Sequence, residues 1–496
     1  MLLKNSWKVK HLVLIKRGEK CLSSLEIFSL KRRKDKNLET NVRYLEYIIT
    51  QFINSKRRHE MLTGERYYRG IHDILFRKRE IIGEGGKLQE VENLPNNKRI
   101  DNQYEKLVDQ KVNYLLGKPV TFHTENEEYQ KYLSQIFNSD FYRTIKILGE
   151  NAINNGISWL YPHYDSNGDF LFRVFEPTEI LPIWRDEAHT ILEFVIRVFI
   201  VQEWTGNCLE DVEKVEVYGV NGIEKYGYRY GSLKYEGHED YFVSGENGYN
   251  WEKIPFIPFK FNSLEKPLIK RVKTLQDGLN KIISTFENNL DEDPRNTILI
   301  LKNYDGQNLG EFRKNLAEIG AVKVKGDGGV ESLSIEVNSE NYTALLKIFK
   351  DAIIENGRGF NAKDDRLGSN PNEMNVQSMY ADIDLDAAGM ETEFKSGLEK
   401  LIYFINLHLF NTGTGDFEKE EVDIIFNKDI LVNEAQTIDN CAKSLGILSE
   451  ETILSQHPWV KDVKAEIDRK RKEEKENDIY SEYSFGSDIN GRKQEE

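Results

Sequence analysis

The sequence predicts an α+β fold, and three observations carry that prediction. Between Ile157 and Phe261 short apolar strands recur with turn signals such as Asp165-Ser166-Asn167-Gly168-Asp169, the pattern of successive hairpins. After Pro267 the apolar period lengthens to that of long helices. Between two of those helices sits a compact stretch with both strand and helix patterns. A chain of 496 residues, 39% hydrophobic and 30% charged, is long enough for two or three such domains.

The elements follow in order. From Thr40 to Arg79 the pattern is helical, with Tyr44, Ile48, Ile49 and Phe52 on one face and a polar stretch, Asn54 to Glu60, before Tyr67 and Tyr68. A second helix is expected from about Asn102 to Leu116, capped by Asp101 and stopped by Gly117 ahead of Pro119. The run Ile191 to Trp204, rich in Ile, Val and Phe, reads as a strand. Leu268, Val272, Leu275, Leu279, Ile282, Phe286 and Leu290 then alternate spacings of four and three, a coiled-coil-like seam on a helix of about 25 residues, hence about 37 Å long. It ends near Asp293-Pro294.

The inserted module reads as a strand Thr297 to Leu301, a helix Leu309 to Ile319 closed by Gly320, and two strands, Val322 to Lys325 and Val330 to Val337, joined by Gly326-Asp327-Gly328-Gly329. A returning helix carries Tyr342, Leu345, Leu346, Phe349 and Ile353 on one face and frays at Gly357 and Gly359. Residues 360 to 374 show no apolar periodicity, and loops of that length are functional or disordered. Next comes the longest helical signal, with Val376, Met379, Ile383, Ala387, Met390, Phe394, Leu398, Leu401, Ile405 and Leu409 on one stripe about 50 Å long. Gly389 and Gly397 lie inside it, where a kink or close packing would explain them. A strand, Val422 to Phe426, and a helical region to about Asn477 complete the chain, with a disordered tail after it.

Charge and motifs narrow the function. The net charge is -15, yet the first 36 residues carry eleven Lys or Arg against three Asp or Glu. That segment reads as a disordered arm or an over-extended start, with a nucleic-acid arm as the alternative. The acidic remainder lacks the basic stripe of a protein that grips DNA. Cys21, Cys208 and Cys441 are far apart without metal-site spacing and read as free thiols of a reducing cytoplasm. The apolar run Leu12 to Ile15 is too short for a signal-peptide core, and no stretch approaches a membrane span.

Asp382-x-Asp384-x-Asp386 with Glu393 has the spacing of a calcium loop. However, Ala387 occupies its glycine position, and residues two apart on a helix diverge, so no metal or other cofactor is expected and a solvated or channel-facing acidic face is. Gly83-Glu84-Gly85-Gly86-Lys87 has the wrong spacing for a phosphate loop, and neither HExxH nor Gly-x-Ser-x-Gly occurs. No catalytic residues are expected.

Several strings, in this order, resemble the SPP1-like portal proteins of long-tailed bacteriophages. They are Tyr67-Tyr68-Arg69-Gly70 leading to Ile74, Asn97 to Ile100, Leu107-Val108-Asp109, Tyr114 to Val120, Phe175 to Ile180, Ile254 to Phe259, and Leu448 to Thr452. The resemblance covers about residues 40 to 475, and its specific part is the order of helix, insert, helix, loop and long helix.

The resemblance implies names and roles for the parts. Residues 1–39 form the basic arm, 40–266 a wing, 267–292 and 339–359 the stem helices, and 293–338 the clip. A tunnel loop then occupies 360–374, a kinked wing helix and strand 375–429, a crown 430–476 and a tail 477–496. It implies a ring of twelve subunits at a capsid vertex that conducts double-stranded DNA. The partners would be the terminase, a head-to-tail adaptor, and the scaffold and major capsid proteins. Arg358, Lys363, Asp364, Asp365, Arg366, Asn370 and Asn375 would line the DNA channel, while Leu268, Val272, Leu275, Leu279, Ile282 and Phe286 would make subunit contacts. Long helices with an unpaired seam need neighbours, which a closed ring supplies, although a monomeric bundle fits the same pattern. The alternative function is a non-portal helical scaffold or adaptor of a phage particle. An ordinary solvent loop is the alternative for 360–374.

Overall fold

The computed structural model describes residues 38–473, apart from 83–85, 93, 205, 245, 293–297, 303–328, 334–338, 362–372, 429–433, 458, 461–462, 464–465 and 468. The chain divides into two compact units, Met1–Phe360 with Asp382–Asp429, and Asn361–Ala381 with Ile430–Glu496. The mixture of helices and antiparallel sheets is the expected α+β class.

In the larger unit the helical pattern expected from Thr40 to Arg79 is two helices, α1 (Leu38–Ile53) and α2 (Lys56–Tyr68), separated at Ser55, whose side chain caps α2 by accepting from Arg58 N. A small hairpin, β1 (Glu80–Ile82) and β2 (Leu88–Glu90), precedes α3 (Gln103–Leu116). The cap of α3 is Asn102 rather than Asp101, because it is the Asn102 side chain that accepts from Glu105 N. After β3 (Thr121–His123) come two helices absent from the sequence reading, α4 (Glu127–Ile136) and α5 (Ser139–Asn155). Their caps, Asn126 and Asn138, each accept two backbone amides. Apolar residues of α5, Phe141, Ile145, Leu148, Ala152 and Ile153, are buried.

Two sheets follow. β4 (Ile157–Tyr164) is the centre of a three-stranded sheet, flanked by β5 (Phe170–Phe175) and β13 (Ile257–Lys260). The five-stranded sheet is a meander of β6 (Ile180–Trp184), β7 (Leu192–Trp204), β8 (Leu209–Gly219), β9 (Gly222–Arg229) and β10 (Ser232–Glu239). Alternation along β7 turns Phe194, Ile196 and Val198 to one face, where they meet Val215, Val217, Tyr226 and Tyr228 under Tyr44, Leu45, Ile48 and Ile49 of α1. A short hairpin of β11 (Phe242–Ser244) and β12 (Asn247–Tyr249) leads back to β13.

The long helices come next. α6 (Ile269–Glu292) and α7 (Ser339–Gly357) pack antiparallel, since Phe286 meets Tyr342 with ring centroids 4.6 Å apart while Gly278 faces Phe349. Of the module between them, β14 (Ile298–Lys302) pairs antiparallel with β15 (Gly329–Leu333), so the strand after the glycines returns against the first strand of the insert. The expected helix Leu309 to Ile319 and strand Val322 to Lys325 lie outside the described residues.

α8 (Glu373–Asn411) is 39 residues, about 58 Å, long. Within the larger unit its stripe Ile383, Ala387, Met390, Phe394, Leu398, Leu401, Ile405 and Leu409 is buried as expected. Gly397 is a close-packing site where an added Cβ would lie 2.8 Å from Phe259, whereas Gly389 has nothing within 4 Å. β16 (Asp423–Ile425) closes the unit by pairing with β3.

In the smaller unit α9 (Glu434–Lys443) and α10 (Glu450–Gln456) bring Cys441 and Ile453 together as buried residues. Cys441 and the exposed Cys208 are free thiols, and Cys21 lies outside the described residues. Among the described residues no helix is long and apolar enough to cross a membrane.

Candidate functional site

Helix α6 has two buried stripes. One is the apolar seam, and it is partly consumed within the chain. Leu268, Val272 and Leu279 are fully buried within the single chain. Leu275, Ile282 and Phe286 are partly buried and Leu290 is exposed, and they are the part of the seam that a neighbour could reach.

The second stripe is polar. Gln276, Asn280, Ser284 and Asn288 recur every four residues and each is fully buried. They face an extended strap, residues 96–102, running into Gln103 at the start of α3, and receive its alternate amides. Asn97 N donates to Asn288 Oδ1 at 2.7 Å, Arg99 N to Ser284 Oγ at 2.9 Å, Asp101 N to Asn280 Oδ1 at 3.1 Å, and Gln103 N to Gln276 Oε1 at 3.1 Å. Four helical residues advance about 6.0 Å. Two extended residues advance about 6.6 Å. The steps match closely enough for four rungs, so the strap gains hydrogen bonds that an isolated strand would lack.

Side chains lock the same strap from outside. Arg99 Nε donates to Glu287 at 2.6 Å, Asn97 Nδ2 to Asp291 at 2.6 Å, and Lys350 of α7 pairs with Asp101 at 2.7 Å. Below the strap, Asn280 Nδ2 lies 2.8 Å from His72 Nδ1, and His72 Nε2 lies 3.0 Å from Tyr67 O. With the amide donating to Nδ1, Nε2 carries the hydrogen that Tyr67 O accepts. Burial lowers the His72 pKa, which favours this neutral ring. Tyr67 stacks on it at 4.3 Å and donates to Asp277, which also pairs with Lys273 at 2.7 Å.

Near the start of α6 a carboxylate collects three cations. Asp386 Oδ2 accepts from Lys111 Nζ of α3 at 2.8 Å and from Arg271 of α6 at 2.6 Å, while Oδ1 accepts from Arg358 at 2.9 Å. Asp386 is buried, so the expectation of a solvated or channel-facing acidic face fails at this residue. Burial alone would raise its pKa, but Lys111 and Arg271 outweigh burial and lower it. Burial brings the Lys111 ammonium down to about 8 in spite of Asp386. Asp384 points elsewhere, to Lys428 at 2.7 Å and Tyr114 at 3.1 Å, and Asp382 is exposed.

Of the residues expected at the DNA channel, Arg358 sits on Asp386, and Asn375 lies on the helical backbone of α8. Lys363, Asp364, Asp365, Arg366 and Asn370 lie outside the described residues. The strings that carry the resemblance fall at packing and clasp positions. Asn97 to Ile100 is the strap, Ile254, Phe256, Ile257 and Phe259 are core, and Ser449 caps α10. The polar stripe and the Asp386 junction escaped the sequence reading, and the four-residue spacing of Gln276, Asn280, Ser284 and Asn288 was the available signal.

The geometry describes two antiparallel long helices, the first of which is braced along its length by the strap. The chain belongs to the SPP1 Gp6-like phage portal protein family, whose model matches residues 49–480. It is 28% identical over 435 residues to the portal protein of Bacillus phage SPP1, covering 85% of this chain and 85% of that relative. To the portal protein of Clostridium phage phiCD119 it is 29% identical over 427 residues, 83% of this chain and 91% of the relative.

Proposed function

We propose that this chain forms a closed homo-oligomeric ring, of twelve subunits, at one vertex of a phage capsid and that double-stranded DNA passes through its channel during packaging and ejection. The observation that carries this reading is the portal-family match across residues 49–480. The braced stem supports it. Leu290, Leu345 and Ile348 remain exposed on α6 and α7 and offer apolar surface to a neighbouring stem. The net charge of -15 suits a channel that DNA must traverse without sticking.

In this reading residues 40–266 are the wing, α6 and α7 the stem, 293–338 the clip and 430–476 the crown. The clip docks the terminase during packaging and the head-to-tail adaptor afterwards, and its strands offer edges for pairing between subunits. The wing side meets scaffold and major capsid proteins. Residues 360–374, with Lys363 and Arg366 nearly balanced by Asp364 and Asp365, form a collar that exchanges weak, salt-screened phosphate contacts as the duplex slides. Negative-stain microscopy of the purified protein tests the reading. Rings with a central channel are expected, and a monomer at micromolar concentration across ordinary salt conditions would refute it.

A further inference from the structure

We infer that Arg271 and Arg358, seated on the two oxygens of the buried Asp386 carboxylate, form a binding site for a phosphate-type oxyanion. The argument begins with charge. Lys111, Arg271 and Arg358 all pair with Asp386, so one negative charge meets three positive ones. Among the described residues no second carboxylate forms an ion pair with any of the three. A local excess of two positive charges therefore persists inside a chain of net charge -15.

Exposure separates the members. The Lys111 and Asp386 side chains are 3% and 5% exposed, whereas those of Arg271 and Arg358 are 32% and 45% exposed. The inner pair is sealed while the two guanidiniums reach solvent. Each guanidinium has five N–H donors and directs one nitrogen to Asp386, which leaves donors for a further acceptor. Their nitrogens touch the two oxygens of a single carboxylate, so the two guanidiniums are anchored on one group, and forked guanidiniums of this kind suit a tetrahedral anion.

The arginines are also held in place. Arg271 lies over the Phe261 ring at 5.6 Å. Arg358 adopts the left-handed region, φ 50°, unusual for a side chain of its size, and Lys111 Nζ holds its carbonyl at 2.9 Å. Strained backbone of this kind persists where surrounding contacts fix it, and ligand clamps are one such place. Inorganic phosphate and the phosphodiester of DNA share the required chemistry. That DNA supplies the anion rests on the channel reading above.

The test melts the purified full-length protein in increasing inorganic phosphate against chloride of equal ionic strength. A saturable rise in Tm specific to phosphate is expected, and R358Q should weaken the apparent affinity about tenfold, with R271Q/R358Q abolishing the rise. D386N should be less stable than the parent in chloride but gain more from phosphate, because it removes the one negative charge that competes with the anion for Arg271 and Arg358. A purely structural role for the junction predicts the opposite, namely equal phosphate and chloride responses in all variants, and that result overturns the site. A short DNA duplex is then added to the phosphate-bound protein. Displacement of phosphate assigns the anion to DNA, while retained phosphate leaves the site standing and counts against the channel reading alone.

Discussion

Glu265 illustrates how single side chains hold the larger unit together. It is buried, with φ 52°, and receives Arg57 at 2.5 Å, His189 Nδ1 at 2.8 Å and Lys260 at 3.1 Å. Burial alone would raise its pKa, but the His189 hydrogen bond and the charges of Arg57 and Lys260 prevail and hold it at about 2, below the ordinary 4.5. A depressed carboxyl stabilises the fold above its unfolded pKa, and that contribution disappears as the pH falls from about 4.5 through about 2. E265Q is therefore expected to cost roughly 3 kcal/mol at neutral pH. It should also flatten the acid limb of stability measured by denaturant melts between pH 5 and pH 2. A parallel acid limb in the variant would refute the assignment. The two glycines of α8 form a second, internal comparison. G389A meets open space and should stabilise by up to about 1 kcal/mol. G397A presses on the buried Phe259 ring and should destabilise by about 1–3 kcal/mol. Equal shifts in Tm for the two variants would contradict this packing.

The helices differ in how openly the sequence declared them. α8 was legible almost completely, because apart from Asp386 the buried stripe from Ile383 to Leu409 is apolar and a 3.6-residue period emerges without knowledge of its neighbours. α6 was legible in extent, but its apolar seam drew attention away from Gln276, Asn280, Ser284 and Asn288. Amides and hydroxyls on a helix ordinarily face water, and the groups that bury these ones lie 173 to 191 residues earlier in the chain. Nothing local announces such a partner. α4 and α5 escaped for a related reason: polar residues such as Glu125, Asn126, Glu127 and Glu128 interrupt the apolar period just where asparagine caps start the helices. Asp386 likewise belongs to a helix face that reads as solvated until Lys111, Arg271 and Arg358 converge on it. The strap predicts a specific exchange pattern. Hydrogen exchange should find the amides of Asn97, Arg99, Asp101 and Gln103 protected, and N280A should release Asp101 first, at a cost of about 1–3 kcal/mol. Unchanged protection at Asp101 in N280A would show that the bond contributes nothing.

At the scale of the whole molecule, the chain belongs to the portal family and exposes apolar side chains on α6 and α7. If Leu290, Leu345 and Ile348 meet a neighbouring subunit, charged substitutions there should dissociate the ring yet leave the monomer folded. The pair L345E/I348E is expected to sediment as monomer with a native circular dichroism spectrum, and an intact ring would exclude those residues from the contact. The proposed collar role of residues 360–374 can be tested separately from assembly. D364K/D365K adds four positive charges per subunit to the loop, so it should shorten or slow packaging while rings still form. Normal packaged DNA length and infectivity in that variant would remove the role from these residues.

Helix α6 and its strap are unequal partners in what they demand of mutation. On the helix side each rung is a particular side chain, Gln276, Asn280, Ser284 or Asn288, and few replacements can accept in its place. On the strap side each rung is a peptide N–H, which nineteen of the twenty amino acids possess. The ladder is consequently blind to the identity of residues 97, 99 and 101 and sensitive only to proline. Proline walked along the strap should behave like a digital signal, disruptive at 97, 99 and 101 and accommodated by the ladder at 98 and 100, so a two-residue beat in the stability of five variants would be the fingerprint of a recognition that reads backbone instead of side chain.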